Sequence, residues 1–372
     1  MLQNVKLQNV MLQMNLDMNI VDYPEFSAIG KDYRTPFIYD SDKKCHIIQR
    51  LNKVNFMTYY NCIQVKRWTE YTGVKNFKLH LRMKGKANIS LYAIYSASVA
   101  VTYNPLATQV VECDEVSDIV INIPDTDKAL VGFRMDVLED TEIYSGYYSA
   151  DIEEDRIRDI KISLVTTTFK KQEYIKRNIG LIKEKVLCDD SDLKGHLFVH
   201  VIDNDRELDP SEFDCEDLKV YMNNNVGGAG GFTRGMIEAL ELPEKATHVL
   251  LMDDDVMVMP ESLFRSYYLL RLLKDEYKKC FLSGAMFDYD IRERQYEDVG
   301  YVHKGDGSYG PVKKAMDMRN ITNLVNNESY SFDVPDAYAG WWYCCIPLSE
   351  IDDNNLPLPI FIHRDDIEYG LR

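Results

Sequence analysis

Apolar and polar residues alternate through much of the first 155 positions. From Val10 onward the even positions Val10, Leu12, Met14, Leu16, Met18 and Ile20 are apolar, and the odd ones are mostly Gln, Asn and Asp. A period of two predicts a half-buried strand there. The same alternation returns at Phe77, Leu79, Leu81 and Met83, with Lys78, His80 and Arg82 between them. It recurs at Ile119, Ile121 and Ile123, and again at Val131, Phe133, Met135 and Val137. Successive strands punctuated by Gly, Asn and Pro, without a clear helical period, predict a β-sandwich domain over residues 1–155.

The pattern changes after residue 156. Residues 160–165 form a short apolar run that ends in Thr166, Thr167 and Thr168, as a buried strand feeding a loop does. Tyr174, Ile175, Ile179, Ile182 and Leu187 then recur at near-helical spacing. HLFVHVIDND is a second strand, GFTRGMIEALEL a helix and THVLLMDDD a third buried strand. This order predicts an α/β layer with a largely parallel sheet over residues 156–372. Ligands of such sheets bind beyond the carboxyl ends of the strands, where the polar clusters of this chain fall.

Composition narrows the function classes. Across 372 residues, 43 Lys and Arg against 60 Asp and Glu leave a net charge of −17, which argues against nucleic acid as a partner, since its binding rests on basic patches. A nucleotide ligand remains compatible, because a few lysines or a bound cation offset charge locally. Hydrophobic residues at 45% and charged ones at 28% are ordinary for a globular chain. No run reaches the roughly 18 apolar residues of a membrane span, and the N-terminus has no signal-peptide pattern. The eight cysteines show no C-x-x-C pairing, which suits free thiols in a reducing, cytoplasmic compartment.

Four clusters carry candidate chemistry. Asp253, Asp254 and Asp255 directly follow a buried apolar run. In extended chain Asp253 and Asp255 point the same way, about 6–7 Å apart, and their repulsion calls for a cation or a proton. Mg²⁺ or Mn²⁺ bridging to a diphosphate is the hard-cation solution; a solvated acidic turn is the bland one. Gly227, Gly228, Gly230 and Gly231 precede a helix and would let a backbone approach an anion at its N-terminus, or simply form a turn. Trp341 and Trp342 offer either a stacking surface for a sugar or core packing. Asp365 and Asp366 stand before a helical segment, as caps or with one of them as a general base.

The order of these clusters carries more than any one of them. A strand ending in TTTF, another ending in DND, then NNNVGGAGGFTRG, LLMDDD, AGWW and IHRDDIEYG together resemble the glycosyltransferases of family 2, of GT-A fold. The glycine run, the Asp triplet, the double Trp and DDIEYG are most similar to polymerising galactofuranosyltransferases of bacterial cell-envelope synthesis. The resemblance covers residues from about 160 onward, and the preceding β-rich region matches the N-terminal sandwich of that family. It implies an inverting transfer from a UDP-sugar, most simply UDP-galactofuranose, to a glycan or lipid-linked glycan acceptor. It also implies that Thr168, Phe169, Lys171, Asp203, Asn204, Asn225, Gly230, Arg234 and Asp254 bind the nucleotide-sugar. Asp253 and Asp255 then hold a divalent metal, Trp341, Trp342 and Glu297 meet the acceptor, and Asp366 is the catalytic base with Asp365 beside it. Peripheral association with the inner membrane face and a homo-oligomer accompany that reading.

Two departures from the family stand out. Its acceptor loop carries His and Glu, where QYEDVGY here offers Glu297 and Tyr301. Its third metal ligand is a His well beyond the D-D-x-E-Y-G segment, so a chain stopping at Arg372 inside a predicted helix is expected to lack a C-terminal helical region. The alternatives are the same chemistry with another nucleotide-sugar, or a non-catalytic carbohydrate-binding or scaffold protein built on the sandwich.

Overall fold

The computed structural model describes residues 1–12, 37–97, 100–242, 245–329 and 334–372. The chain divides into two compact units. The first is Met1–Ile157 with Asp288–Arg294 and Met316–Phe332; the second is Arg158–Phe287 with Gln295–Ala315 and Asp333–Arg372. The main boundary lies next to the expected cut at 155, whereas the two later segments that join the first unit are not foreseen by a single cut. Among the described residues the α-helices are α1 (Val65–Thr72), α2 (Gln172–Lys185), α3 (Pro210–Phe213), α4 (Gly227–Glu241), α5 (Pro260–Leu272), α6 (Ile321–Ser329) and α7 (Asp365–Gly370).

In the first unit β1 (Leu2–Asn9), β2 (Phe37–Asp40), β3 (Cys45–Ile48), β4 (Lys53–Asn55), β5 (Lys75–Ala97), β6 (Ala100–Asn122), β7 (Leu130–Val137) and β8 (Thr141–Glu153) form one antiparallel hydrogen-bonded set. Strand β5 buries Phe77, Leu79, Leu81 and Met83, the face its alternation predicts. It pairs with β6 throughout, but on its other edge it changes partner, from β8 up to Lys84 to β7 from Ala87. The change falls at Gly85, where the register slips. Its φ is +116°, and an added Cβ would lie 2.6 Å from the Asp140 carbonyl oxygen. A bulge of this kind bends a strand and re-aims it between partners.

Two expectations for this unit need correction. The first strand lies at Leu2–Asn9, ahead of the expected segment 10–20, of which residues 13–20 fall outside the described residues. Its alternation is hidden by a register slip between Lys6 and Gln8 and by buried Gln8, which donates to the Cys62 carbonyl at 3.2 Å. The unit also contains a helix, α1, which buries Val65, Trp68 and Thr72 on one face and is closed by Gly73 in the left-handed conformation. Later in the chain, α6 adds Leu324 and Val325 to the cluster of Met57, Cys62, Ile94 and Leu130.

The second unit is built on a sheet of order β11-β10-β9-β12-β20-β13, formed by β9 (Ile162–Thr168), β10 (Leu197–Asp203), β11 (Leu218–Met222), β12 (His248–Leu251), β13 (Leu282–Ser283) and β20 (Cys344–Pro347). Short strands lie between the last two along the chain: β14 (Met286–Phe287), β15 (Arg294–Glu297), β16 (Gly300–His303), β17 (Ser308–Pro311), β18 (Met316–Asp317) and β19 (Ala337–Tyr338). Strands β9 to β12 are mutually parallel, and β20 and β13 run antiparallel. From central β9 the chain steps outward through β10 to β11, then returns to β12 on the opposite side. That reversal is a topological switch point, where open α/β sheets leave a crevice at their carboxyl ends.

Helix α4 packs over β9 with unusual closeness. An added Cβ at Gly231 would lie 2.0 Å from Thr167 Oγ1, and one at Gly235 would lie 2.1 Å from Val165 Cγ1. Spaced four residues apart, the two glycines share the face that meets the sheet. We expect Gly231→Ala to destabilise the protein by about 1–3 kcal/mol through overpacking. Gly180→Ala in α2, where nothing lies within 4 Å of the new Cβ, should stabilise it by roughly 0.5–1 kcal/mol. Thermal unfolding of the two variants checks both signs.

Candidate active site

The carboxyl ends of β9, β10 and β12 bring three predicted clusters together. The Asp203 carboxylate is fully buried and accepts from the N–H groups of Asp205 (3.2 Å), Arg206 (3.0 Å) and Leu208 (2.8 Å). It therefore shapes the loop after β10. The side-chain amide of Asn204 donates to Thr167 Oγ1 and to the Gly227 carbonyl, both at 3.2 Å, and its oxygen accepts from Asn223 at 2.9 Å. Asn204 thus ties the ends of β9 and β10 to the start of α4. There Gly227 has φ +77°, its N–H donates to Asn225 Oδ1 at 3.3 Å, and Gly228 donates to the Phe361 carbonyl at 3.2 Å. Gly230 lies in the first turn of α4 beside Val226, whose Cγ2 would meet an added Cβ at 2.3 Å. Arg234 sits on the second turn, ion-paired to Glu238.

Beyond β12, Met252 continues the sheet by donating to the Val165 carbonyl at 3.0 Å, and Asp253, Asp254 and Asp255 turn away from it. Burial pushes the Asp253 carboxyl up to about 7, helped by the charges of Asp255, Asp254, Asp365 and Asp366. Asp254 is also raised by burial, opposed by the Thr168 hydroxyl and by Lys171. Lys171 is ion-paired to Asp255, with Asp254 at 3.6 Å. Burial works against its charge, but the bond to Asp255 and the surrounding carboxylates raise its pKa overall. Phe169, on the same loop, is 40% exposed.

Helix α7 supplies the second pair of carboxylates. Asp365 and Asp366 are half-buried and both raised by burial, while the Ile367 N–H, donating to Asp366 at 2.8 Å, works the other way. His363 and Arg364, immediately before them, both have positive φ (61° and 71°), a sparsely populated conformation that marks a strained segment. Glu297 is half-buried and raised by burial and by Asp366, and its Oε1 has no hydrogen-bond partner. Burial raises Tyr338 to about 12, with Glu297 and Asp366 adding to the shift.

The two tryptophans part company. Trp341 is 4% exposed and packs edge-on against Phe232 (5.1 Å) and Tyr369 (6.1 Å) in the core. The expectation that both rings line the cleft is thus corrected for Trp341. Trp342 is half-buried and donates its Nε1–H to the Gly284 carbonyl at 2.9 Å. Cys344 and Cys345 are buried free thiols.

One residue at this end escaped sequence reasoning. Asn178 of α2 is 1% exposed, and its amide donates to the carbonyls of Asp254 (2.9 Å) and Val256 (2.8 Å). The signal was present: Asn178 interrupts the apolar face of Ile175, Ile179 and Ile182.

No known family profile matches the chain. Two curated relatives do: galactofuranosyltransferase GlfT2 of Mycolicibacterium smegmatis, 22% identical over 344 residues, and GlfT2 of Mycobacterium tuberculosis, 24% identical over 337 residues. Each alignment takes in 86% of this chain and 51% of the relative, so the chain spans about half the length of the curated relatives it matches. Among solved structures, xylanase 10B modules of Clostridium thermocellum bound to xylohexaose align at TM-score 0.20, with 11% identity over 45% of this chain and 32% of that one. A family two carbohydrate esterase of the same organism aligns at 0.19, with 11% identity over 63% of this chain and 82% of that one. Neither score amounts to a shared fold. The sequence relationship supports a glycosyltransferase similar to the galactofuranosyltransferases.

Proposed function

We propose that this protein transfers a galactofuranosyl residue from UDP-galactofuranose to a glycan hydroxyl with inversion at the anomeric carbon. The proposal includes the folds, a GT-A domain in the second unit and a β-sandwich in the first. One observation carries it: in a chain similar to galactofuranosyltransferases, the carboxylates of two distant segments, 253–255 and 365–366, are close enough for their charges to act on one another. Among the described residues no helix is long and apolar enough to cross a membrane.

The residues fit a hard divalent cation in kind. Asp253 and Asp255 are oxygen donors, Asp253 held at about 7 by burial and then by the neighbouring carboxylates, and such donors select Mg²⁺ or Mn²⁺. Among the described residues, no group of three or more His, Cys, Asp and Glu is disposed to hold a metal; Asp253 and Asp255 are the residues that would hold the ion. When bound, such an ion neutralises charge on the departing UDP. The protein's own groups do the rest. Lys171, paired with Asp255 and 3.6 Å from Asp254, would lend its ammonium charge to the UDP diphosphate. Asp366 accepts the proton of the acceptor hydroxyl as that oxygen bonds to the anomeric carbon and the bond to UDP breaks, its electron pair leaving with UDP. Burial raises Asp366 from its ordinary value, which makes it a somewhat stronger proton acceptor once ionised. Trp342 and Glu297 flank the acceptor.

Incubation with a panel of nucleotide-sugars and a glycan acceptor, reading UDP release and product mass, tests this. UDP-galactofuranose should give hexosyl additions; turnover only with another donor would reassign the sugar, and no turnover with any donor would reject the enzyme. Asp366→Asn should lower kcat by about 10²–10⁴-fold with UDP affinity nearly unchanged.

The Asp253 shift adds a stability prediction. A carboxyl raised from its ordinary 3.8 to about 7 takes up more protons folded than unfolded between those values, so it lowers stability progressively as pH rises through that window. Asp253→Asn should therefore unfold at the same temperature as the parent near pH 4 and at a higher temperature at pH 8. Scanning calorimetry at the two pH values checks it, and a constant difference would contradict it.

A further inference from the structure

We propose that Asn178 is a positioning residue that holds the 253–255 turn in a metal-ready shape; the inference rests on reading that turn as the cation and diphosphate site. Three consecutive carboxylates repel one another. A turn under that load tends to splay. The ion pair from Lys171 relieves Asp255 and Asp254, but it fixes side chains rather than backbone.

The backbone is held from α2. Asn178, 1% exposed, spends both amide protons on the carbonyls of Asp254 and Val256, at 2.9 and 2.8 Å. Those carbonyls flank the Asp255 residue, so their direction sets where the Asp255 side chain leaves the chain. Arg177 donates to the same Val256 carbonyl at 2.9 Å. Adjacent residues of one helix thus clamp a segment more than 70 positions away. Asn suits the task because a short amide offers two donors in one plane, whereas Asp offers none. A site whose donors are held before the ligand arrives binds it without first having to order them.

The test is Mn²⁺ binding by electron paramagnetic resonance, with UDP affinity by calorimetry with and without Mn²⁺. In Asn178→Leu, with the fold checked by circular dichroism, we expect Mn²⁺ to bind at least tenfold more weakly and the Mn²⁺-dependent gain in UDP affinity to vanish. UDP affinity without metal should stay within twofold of the parent, a split that a merely structural role would not produce. Asn178→Gln, which keeps the amide, should recover part of the Mn²⁺ affinity. A folded Asn178→Leu that binds Mn²⁺ like the parent overturns the proposal. Should that variant not fold, Asn178→Gln and Asn178→Ser with undiminished Mn²⁺ affinity in both would overturn it. Absence of Mn²⁺ binding in the parent, seen before any variant is made, would instead reject the reading of the turn as a cation site, and this inference with it.

Discussion

Mutual repulsion among crowded, partly buried carboxylates is the constraint on which the second unit's site depends. Asp253 feels Asp254 and Asp255 beside it and Asp365 and Asp366 from α7. Left uncompensated, such a cluster would push its own turn open. The protein offsets the charge in several ways. Lys171 pairs with Asp255, Asp253 tends toward its protonated form, and Asp366 accepts the Ile367 N–H. Each lowers the cost of holding several acidic groups together at one end of the sheet.

Backbone closeness is the second half of the arrangement. Gly231 and Gly235 let α4 settle on β9, and Gly227 takes the left-handed conformation where the Phe361 carbonyl leaves no room for a side chain. Asn204 bridges both elements. The glycine run therefore does two different jobs: its later members serve packing, and its first members shape a turn where an added Cβ at Gly228 would lie 3.2 Å from the Asp365 carboxylate.

Much of this was legible along the chain. Alternation at 77–83 marks one face of β5, because a half-buried antiparallel strand exposes every second residue. The apolar runs of β9 and β12 end where polar clusters begin, which is what a sheet buried on both faces does. Other features were hidden for physical reasons. Buried Gln8 and a register slip break the period of β1, and a helix as short as α1 shows only two turns of spacing. Asn178 interrupts the apolar face of α2, but the partners of its amide lie more than 70 positions away and only the fold reveals them. The tryptophan pair was ambiguous because adjacency does not say which ring meets the core; Trp341 does.

The claim at the centre of this account is that the carboxyl end of β12 receives a UDP-sugar together with a divalent cation. Anomalous diffraction from crystals grown with UDP and Mn²⁺ tests it most directly. The account predicts a manganese peak between Asp253 and Asp255, with the diphosphate bound to it and facing the turn before α4. UDP bound elsewhere, or bound at this end with no manganese peak at the aspartates, would contradict it.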